Sequence, residues 1–191
     1  MDKRKYLTPY EVSMLLSGAD KSRHPERNYC MILMTYRHGF RISELLSIKL
    51  SDIDMNARVI FINRLKNGFS VAHPCSEDEY DMLKKWLNIR SLIPESACTN
   101  NVFISSSGRK ISRTQAWKII KKCGEIGGLS LHVHPHMLRH SCGYYLAGKG
   151  TDTRLIQDYL GHRNIRHTVL YTQSNFKRFE KLWADDLIKS K

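Results

Sequence analysis

The sequence predicts a mainly α-helical domain with one small antiparallel β-sheet. Three observations point to it. Ser/Thr-x-x-Glu boxes at Thr8–Glu11 and Ser76–Glu79, and a serine cap at Ser112, each open a stretch with helical apolar spacing. The segment from Arg58 to His73 instead turns β-rich around Asn67-Gly68. No Pro/Gly/Ser linker, low-complexity tract or repeat divides the 191 residues, so a single domain over 1–191 is expected.

Each element follows from its own residues. Thr8-Pro9-Tyr10-Glu11 caps a helix to about Ala19, with proline at its first position. A second helix runs from about Pro25 to His38 and stops at Gly39. Its Cys30-Met31-Ile32-Leu33-Met34 run implies burial on several sides. A third covers Ile42 to about Ile48. Arg58–Asn63 and Phe69–His73 pair as a hairpin across Leu65-Lys66-Asn67-Gly68. The box at Ser76 starts an amphipathic helix to about Leu92, with Tyr80, Leu83, Trp86 and Leu87 on one face. Val102-Phe103-Ile104 is a short strand, and Ser112 caps a helix to Glu125, before Gly127-Gly128. Helices are expected near 135–148, 152–160 and 176–188, with a short turn leading into Tyr171.

Composition narrows the function. Lys and Arg number 31 against 18 Asp and Glu, a formal charge of +13, which points to a polyanionic partner rather than a small metabolite. With 41% hydrophobic and 26% charged residues a packed core is feasible and wholesale disorder is excluded. The longest apolar stretch, Cys30–Met34, is far short of the ~20 residues a bilayer requires, so no membrane partner is expected. Met1–Tyr6 is basic without an apolar h-region, which makes the cytoplasm the expected compartment. Five scattered cysteines without a Cys-x-x-Cys pair read as reduced thiols.

Several segments carry chemistry, each with a plainer alternative. In Gly39-Phe40-Arg41-Ile42-Ser43-Glu44-Leu45-Leu46, a glycine-terminated helix hands over to Arg41 at the start of the next one. Arginine there suits a phosphate; the alternative is a surface pair with Glu44. In His136-Met137-Leu138-Arg139-His140-Ser141, His136, Arg139 and His140 share a helical face. His136 and His140 have the spacing of two metal ligands, but no third ligand at zinc-site spacing is evident, so no metal is expected. A solvated basic face is the other alternative. Gly161 ends the following helix and leaves His162 at its C-terminus, where the dipole favours the protonated ring. Nine residues on lies Tyr171, which nothing local singles out.

Taken in order, these boxes, the downstream Leu160-Gly161-His162 and Tyr171 resemble the tyrosine recombinase (phage integrase) family over nearly the whole chain, from about Leu7 to Tyr171. The short length looks like that of the fimbrial phase-switch inversion recombinases. The resemblance implies the catalytic-domain fold of these DNA breaking-rejoining enzymes and a catalytic set of Arg41, Lys66, His136, Arg139, His162 and Tyr171. Lys66 is preferred to Arg64 because it directly precedes the Asn-Gly turn. Most of the family carries an additional N-terminal domain that completes a clamp around DNA; here only a few residues precede the first helix.

The implied chemistry suits these side chains. Attack on a phosphodiester concentrates charge on its nonbridging oxygens, which Arg41 and Arg139 would meet with planar, permanently charged donors. His162 would add a hydrogen bond. Tyr171, a weak nucleophile at its ordinary pKa of about 10, needs a base, assigned to His136, while Lys66 would protonate the leaving 5′ oxygen. The 3′-phosphotyrosine conserves the bond energy for religation, so no cofactor is implied.

The expected partners are double-stranded DNA with short inverted repeats, a homotetramer on synapsed DNA and DNA-bending accessory proteins. Arg113, Thr114, Gln115, Lys118, Lys121 and Lys122 on the helix after Ser112 are DNA-contact candidates, with a solvated helix face as the alternative. The tail, 175–191, places Phe176, Phe179, Leu182, Trp183, Leu187 and Ile188 at helical spacing. It would pack on its own domain or, as the resemblance suggests, dock on a neighbouring subunit. Two further readings stay open: a type IB topoisomerase, and a DNA-binding regulator without chemistry.

Overall fold

The computed structural model describes residues 4–62 and 71–173. The hairpin turn with Lys66 and the tail 175–191 lie outside the described residues.

The elements are α1 (Pro9–Asp20), α2 (Pro25–Arg37), α3 (Ile42–Leu45), β1 (Ile53–Asp54), β2 (Val59–Ile62), β3 (Val71–Pro74), α4 (Glu77–Ser91), α5 (Arg113–Ile126), α6 (Pro135–Gly148), α7 (Thr153–Leu160) and α8 (Arg166–Gln173). The mainly helical class with a small antiparallel sheet is borne out.

Helix α1 begins as the capping box dictates: the Glu11 amide donates to Thr8 Oγ1 at 3.2 Å, and the Thr8 amide to the Glu11 carboxylate at 2.8 Å. Helix α2 threads the centre, with Cys30, Met31, Ile32 and Met34 fully enclosed. Around it pack α1, α4, α5 and α6. Helices α1 and α5 meet at Gly18, where a Cβ would lie 2.0 Å from the Cys123 carbonyl oxygen. Leu15, Leu45, Ile60, Leu83, Phe103 and Leu138 join this core. A second, smaller core joins α6, α7 and α8 through Cys142, Ile156, Leu160 and Tyr171.

The sheet has the order β1-β2-β3, antiparallel throughout, with Ile60 opposite both Ile53 and His73. Strand β1 was not foreseen, because two residues carry no period. Ile60 and Ile62 point into the core and Phe61 outward.

Local departures have local causes. Helix α3 stops at Leu45 rather than Ile48, because the next backbone pairs elsewhere: the Ile48 carbonyl accepts from the Val102 amide at 2.9 Å, and Lys49 bridges Asn101. Val102–Ile104 is therefore a buried segment held by isolated bridges rather than a strand. The box expected at Ser76 does not form. Glu79 turns inward to His38, and the Ser76 hydroxyl donates to Asp78 at 2.8 Å while accepting from Arg37. Tyr171 sits within α8 rather than after a turn.

Candidate active site

Pro135 occupies the first turn of α6 and sets the helix so that Arg139 faces inward while His136 remains exposed. The buried Arg139 guanidinium is held by two backbone carbonyls. Its Nη1 donates to Gly39 and its Nη2 to Leu160 at 2.8 Å. Both carbonyls depend on glycine turns. Gly39 has φ +60°, and a Cβ there would lie 2.2 Å from the Leu160 side chain; Gly161 closes α7 in the left-handed region at φ 65°.

Arg41 occupies the N-cap of α3 and is joined to Glu44: its Nη1 donates to Oε1 at 2.6 Å and its amide to Oε2 at 2.8 Å. The surface-pair alternative is thus partly realised, yet Glu44 is no surface residue. It is buried, and its Oε2 lies 3.9 Å from Arg139. One enclosed carboxylate therefore links the two arginines, while the Arg41 side chain stays 42% exposed.

His162 follows Gly161, as its position past a helix end foretold. Its ring Nδ1 lies 2.9 Å from the buried Thr168 hydroxyl, which orients the imidazole. The Tyr171 ring lies 6.1 Å from that of His162 at 28° and edge-on to Tyr144. Gly143 makes room for it, since a Cβ there would fall 2.5 Å from the Tyr171 ring. Burial pushes the Tyr171 phenol up to about 12, with the Arg139 charge pulling it back.

The phenol bonds to His140 Nδ1 at 2.9 Å, not to His136. Burial first, then the charges of His136, Arg139, His134 and Lys5, lower the His140 pKa. These favour the neutral ring, which accepts from the phenol in the tautomer protonated at Nε2 and donates to it in the other. The sequence placed His140 on one helical face with His136 and Arg139 but gave it no role, because nothing local shows which of the two histidines meets the phenol.

Beside Arg41 and His162 opens a cleft of about 670 Å³, lined further by Arg154, Gln157, Arg163, Asn164, Ile165 and His167. Among the described residues its lining carries three arginines and no carboxylate, which favours an anion. Arg154, Arg163 and His167 were missed in the sequence, where isolated cations in a basic chain carry no signal. The proposed DNA contacts lie elsewhere, on α5, which packs on α1, α2 and α3. Arg113, Thr114 and Lys118 are exposed. Gln115 is committed to the Ser112 capping box, and Lys121 and Lys122 pair with Glu125 at 3.8 and 3.1 Å.

Among the described residues His38, Cys75 and Glu79 bring three donor atoms within 4.8 Å of one another. His38 Nε2 and Glu79 Oε1 are 2.6 Å apart, a hydrogen bond, whereas two ligands on tetrahedral zinc stand about 3.3 Å apart. Burial pushes the Cys75 thiol up to about 12, which disfavours the thiolate a metal would need. No helix among the described residues is long and apolar enough to cross a membrane.

Arg41 and His162 line the basic cleft, Glu44 ties Arg41 to Arg139, and the Tyr171 ring stacks on His162, an arrangement suited to an enzyme that acts on a phosphodiester. The family model described as the phage integrase family matches residues 5–178, and the chain belongs to that family, the tyrosine recombinases. It is 52% identical over 181 residues to the type 1 fimbriae regulatory protein FimB of Escherichia coli K12, covering 95% of this chain and 90% of that protein. It is 50% identical over 192 residues to FimE of the same strain, covering 100% and 97%. The crystal structure of XerA recombinase superposes with a TM-score of 0.81 at 24% identity, over 97% of this chain and 66% of that one. The XerH recombinase bound to palindromic difH substrate gives 0.79 at 25%, over 94% and 53%. The chain thus spans two thirds or less of these solved chains, but nearly all of the fimbrial regulators.

Proposed function

We propose that this chain is a site-specific recombinase that inverts a promoter-bearing DNA element controlling fimbrial phase variation. Its half-identity to two fimbrial regulators along almost their full lengths supports the fimbrial role. One observation carries the chemistry: buried Glu44 links Arg41 to the carbonyl-held Arg139, with His162, between α7 and α8, packed against Tyr171 of α8.

In this reading the scissile phosphate enters the cleft beside Arg41 and His162. Arg41 and Arg139 take its nonbridging oxygens, and His162 donates a further hydrogen bond. The Tyr171 Oη–P bond forms as the P–O5′ bond breaks. The phenolic proton leaves to a base, and Lys66 on the β2–β3 hairpin protonates O5′. His136, exposed at the start of α6, relays protons between the site and solvent. The phosphotyrosine bond is nearly isoenergetic with the one broken, so religation needs no cofactor.

Tyr171 is buried in the described arrangement, so it must leave its slot against Gly143 before attack. We assign that release to assembly: the segment 175–191, directly after α8, docks on a neighbouring subunit of a tetramer on paired inverted repeats. Residues 1–191 act as one catalytic domain, the α5 residues Arg113, Thr114, Gln115, Lys118, Lys121 and Lys122 contact the duplex, and accessory proteins bend it. The work takes place on the nucleoid, in the cytoplasm.

The test is incubation with genomic DNA of the source organism and mapping of covalent adducts. Wild-type protein should form 3′-phosphotyrosyl adducts at paired inverted repeats; Tyr171→Phe should bind the same repeats and form none. Adducts scattered without a preferred sequence, with relaxation of supercoils, would instead indicate a topoisomerase.

A further inference from the structure

We infer that Tyr159 and His38 are positioning residues of the cleavage reaction: together they fix the two carbonyls that aim the Arg139 guanidinium. The inference rests on the reading of Arg139 as a ligand of the scissile phosphate and adds residues that reading does not contain. Both act through Arg139 rather than on the substrate.

The hydrogen bonds behind the cradle carry it. Arg139 donates to the Gly39 carbonyl and, at 2.8 Å, to the Leu160 carbonyl. His38 immediately precedes the first of these residues and Tyr159 the second. The Tyr159 hydroxyl donates to the Arg37 carbonyl at 3.1 Å and lies 3.3 Å from His38 Nδ1. It therefore ties the end of α7 to the end of α2, and holds one wall of the Arg139 cradle at a set distance from the other. On its far side the His38 ring is braced by α4, with Nε2 2.6 Å from Glu79 Oε1. His38 also stacks on Phe40, the neighbour of Arg41, with centroids 4.7 Å apart at 17°. His73 of β3 closes the cluster, edge-on to Tyr159 at 4.6 Å.

The polarity of this cluster calls for a role. His38, Glu79 and His73 are buried, and burying such groups costs free energy that hydrogen bonds only offset. Apolar side chains of similar volume commonly hold helices together as well as a buried polar pair does. What hydrogen bonds add is direction. Direction matters at Arg139, whose planar donors stabilise developing charge only when aimed at the phosphate oxygens. A misplacement of about 1 Å can cost on the order of 100-fold in rate. Helix α7 packs on α6 and α8, and Tyr159 gives it a fixed register against α2 as well.

The experiment uses the full chain and a nicked suicide duplex carrying the inverted repeat mapped from the wild-type adducts. Tyr159→Phe keeps the ring against His73 and removes the hydroxyl, while the Arg37 carbonyl retains the Cys142 thiol as a donor at 3.3 Å. This variant should bind the duplex as wild type does and, at saturating duplex, form adduct about tenfold more slowly. A double-mutant cycle with Arg139→Lys separates positioning from support of the fold. Lysine cannot span both carbonyls, so beside it the further loss from Tyr159→Phe should shrink to less than about twofold. A wild-type rate for Tyr159→Phe overturns the inference. So does a loss that persists undiminished beside Arg139→Lys, which would mean that the hydroxyl acts elsewhere, and so does a loss confined to duplex affinity. If Tyr159→Phe fails to fold, His38→Gln, which keeps a donor toward Glu79, goes through the same cycle. Failure of both to fold makes the cluster structural and overturns the inference as well. Wild-type cleavage by Arg139→Lys alone would instead sink the reading of Arg139 as a phosphate ligand, a result that no outcome for Tyr159 imitates.

Discussion

Glu44 accepts a hydrogen bond from Arg41 at 2.6 Å while its other oxygen stands 3.9 Å from Arg139, so two arginines more than ninety residues apart in sequence share one enclosed carboxylate. Left alone, the two guanidiniums would repel each other; the shared carboxylate makes their proximity tolerable until a phosphate arrives.

Glu44→Gln should therefore be costly to the fold. Removing the buried charge leaves the arginine pair uncompensated, worth about 3 kcal/mol. A chain of this size then loses roughly 10 °C in its unfolding midpoint. Addition of DNA should recover much of that loss, because phosphate replaces the missing anion. A midpoint unchanged from wild type would show that Glu44 does not hold the pair.

Gly143→Ala should evict the nucleophile. The new methyl would fall 2.5 Å from the Tyr171 ring, with Arg139 and Cys142 beside it on the same helix. Overpacking should lower stability by about 2 kcal/mol. The Tyr171 phenol should fall from about 12 toward its ordinary value as burial is relieved. Carbon-13 NMR of ring-labelled tyrosine, with Tyr171→Phe identifying the resonance, reads both effects together.

Thr168→Val tests how His162 is aimed. Valine keeps the volume of this buried residue but removes the hydroxyl 2.9 Å from His162 Nδ1. Cleavage is expected to slow about tenfold, equivalent to ~1.4 kcal/mol in the barrier. Duplex affinity should hardly change. Equal loss of binding and cleavage would show that the hydroxyl supports the fold rather than the imidazole.

Stability should rise with pH across the histidine range. His24, His134 and His140 all have lowered folded pKa values, with burial the leading cause. The unfolded chain then binds more protons between the folded values and about 6.5. Stability is full above that value and is lost as pH falls through the window, so the unfolding midpoint should climb from about pH 5 to 7. His134→Asn should flatten that climb. It should also add up to about 1 kcal/mol, because His134 sits at the α6 N-cap without a side-chain cap bond.

Much of the helical layout was legible along the chain. The Thr8 box, the Ser112 cap, the glycines at 39 and 161 and the proline at 135 act within a few residues, and the elements they mark are where local chemistry puts them. The Ser76 box was misread because Glu79 had a distant alternative, a buried histidine 41 positions away, that no local pattern reveals. Strand β1 escaped for a related reason: its two residues gain strand geometry only by pairing with β2.

The sequence by itself determined the class of protein, through an ordered set of boxes around Arg41, Arg139, His162 and Tyr171, and through a positive charge suited to a phosphate backbone. It determined these because each box is a short-range pattern of turn, cap and helical face. Only the tertiary structure decided that Arg139 is held by carbonyls from two separate turns, that Glu44 ties it to Arg41, and that the Tyr171 phenol meets His140 rather than His136. Those relationships join residues on different helices, and the packing of α2, α6, α7 and α8, not spacing along the chain, brings them within hydrogen-bond reach.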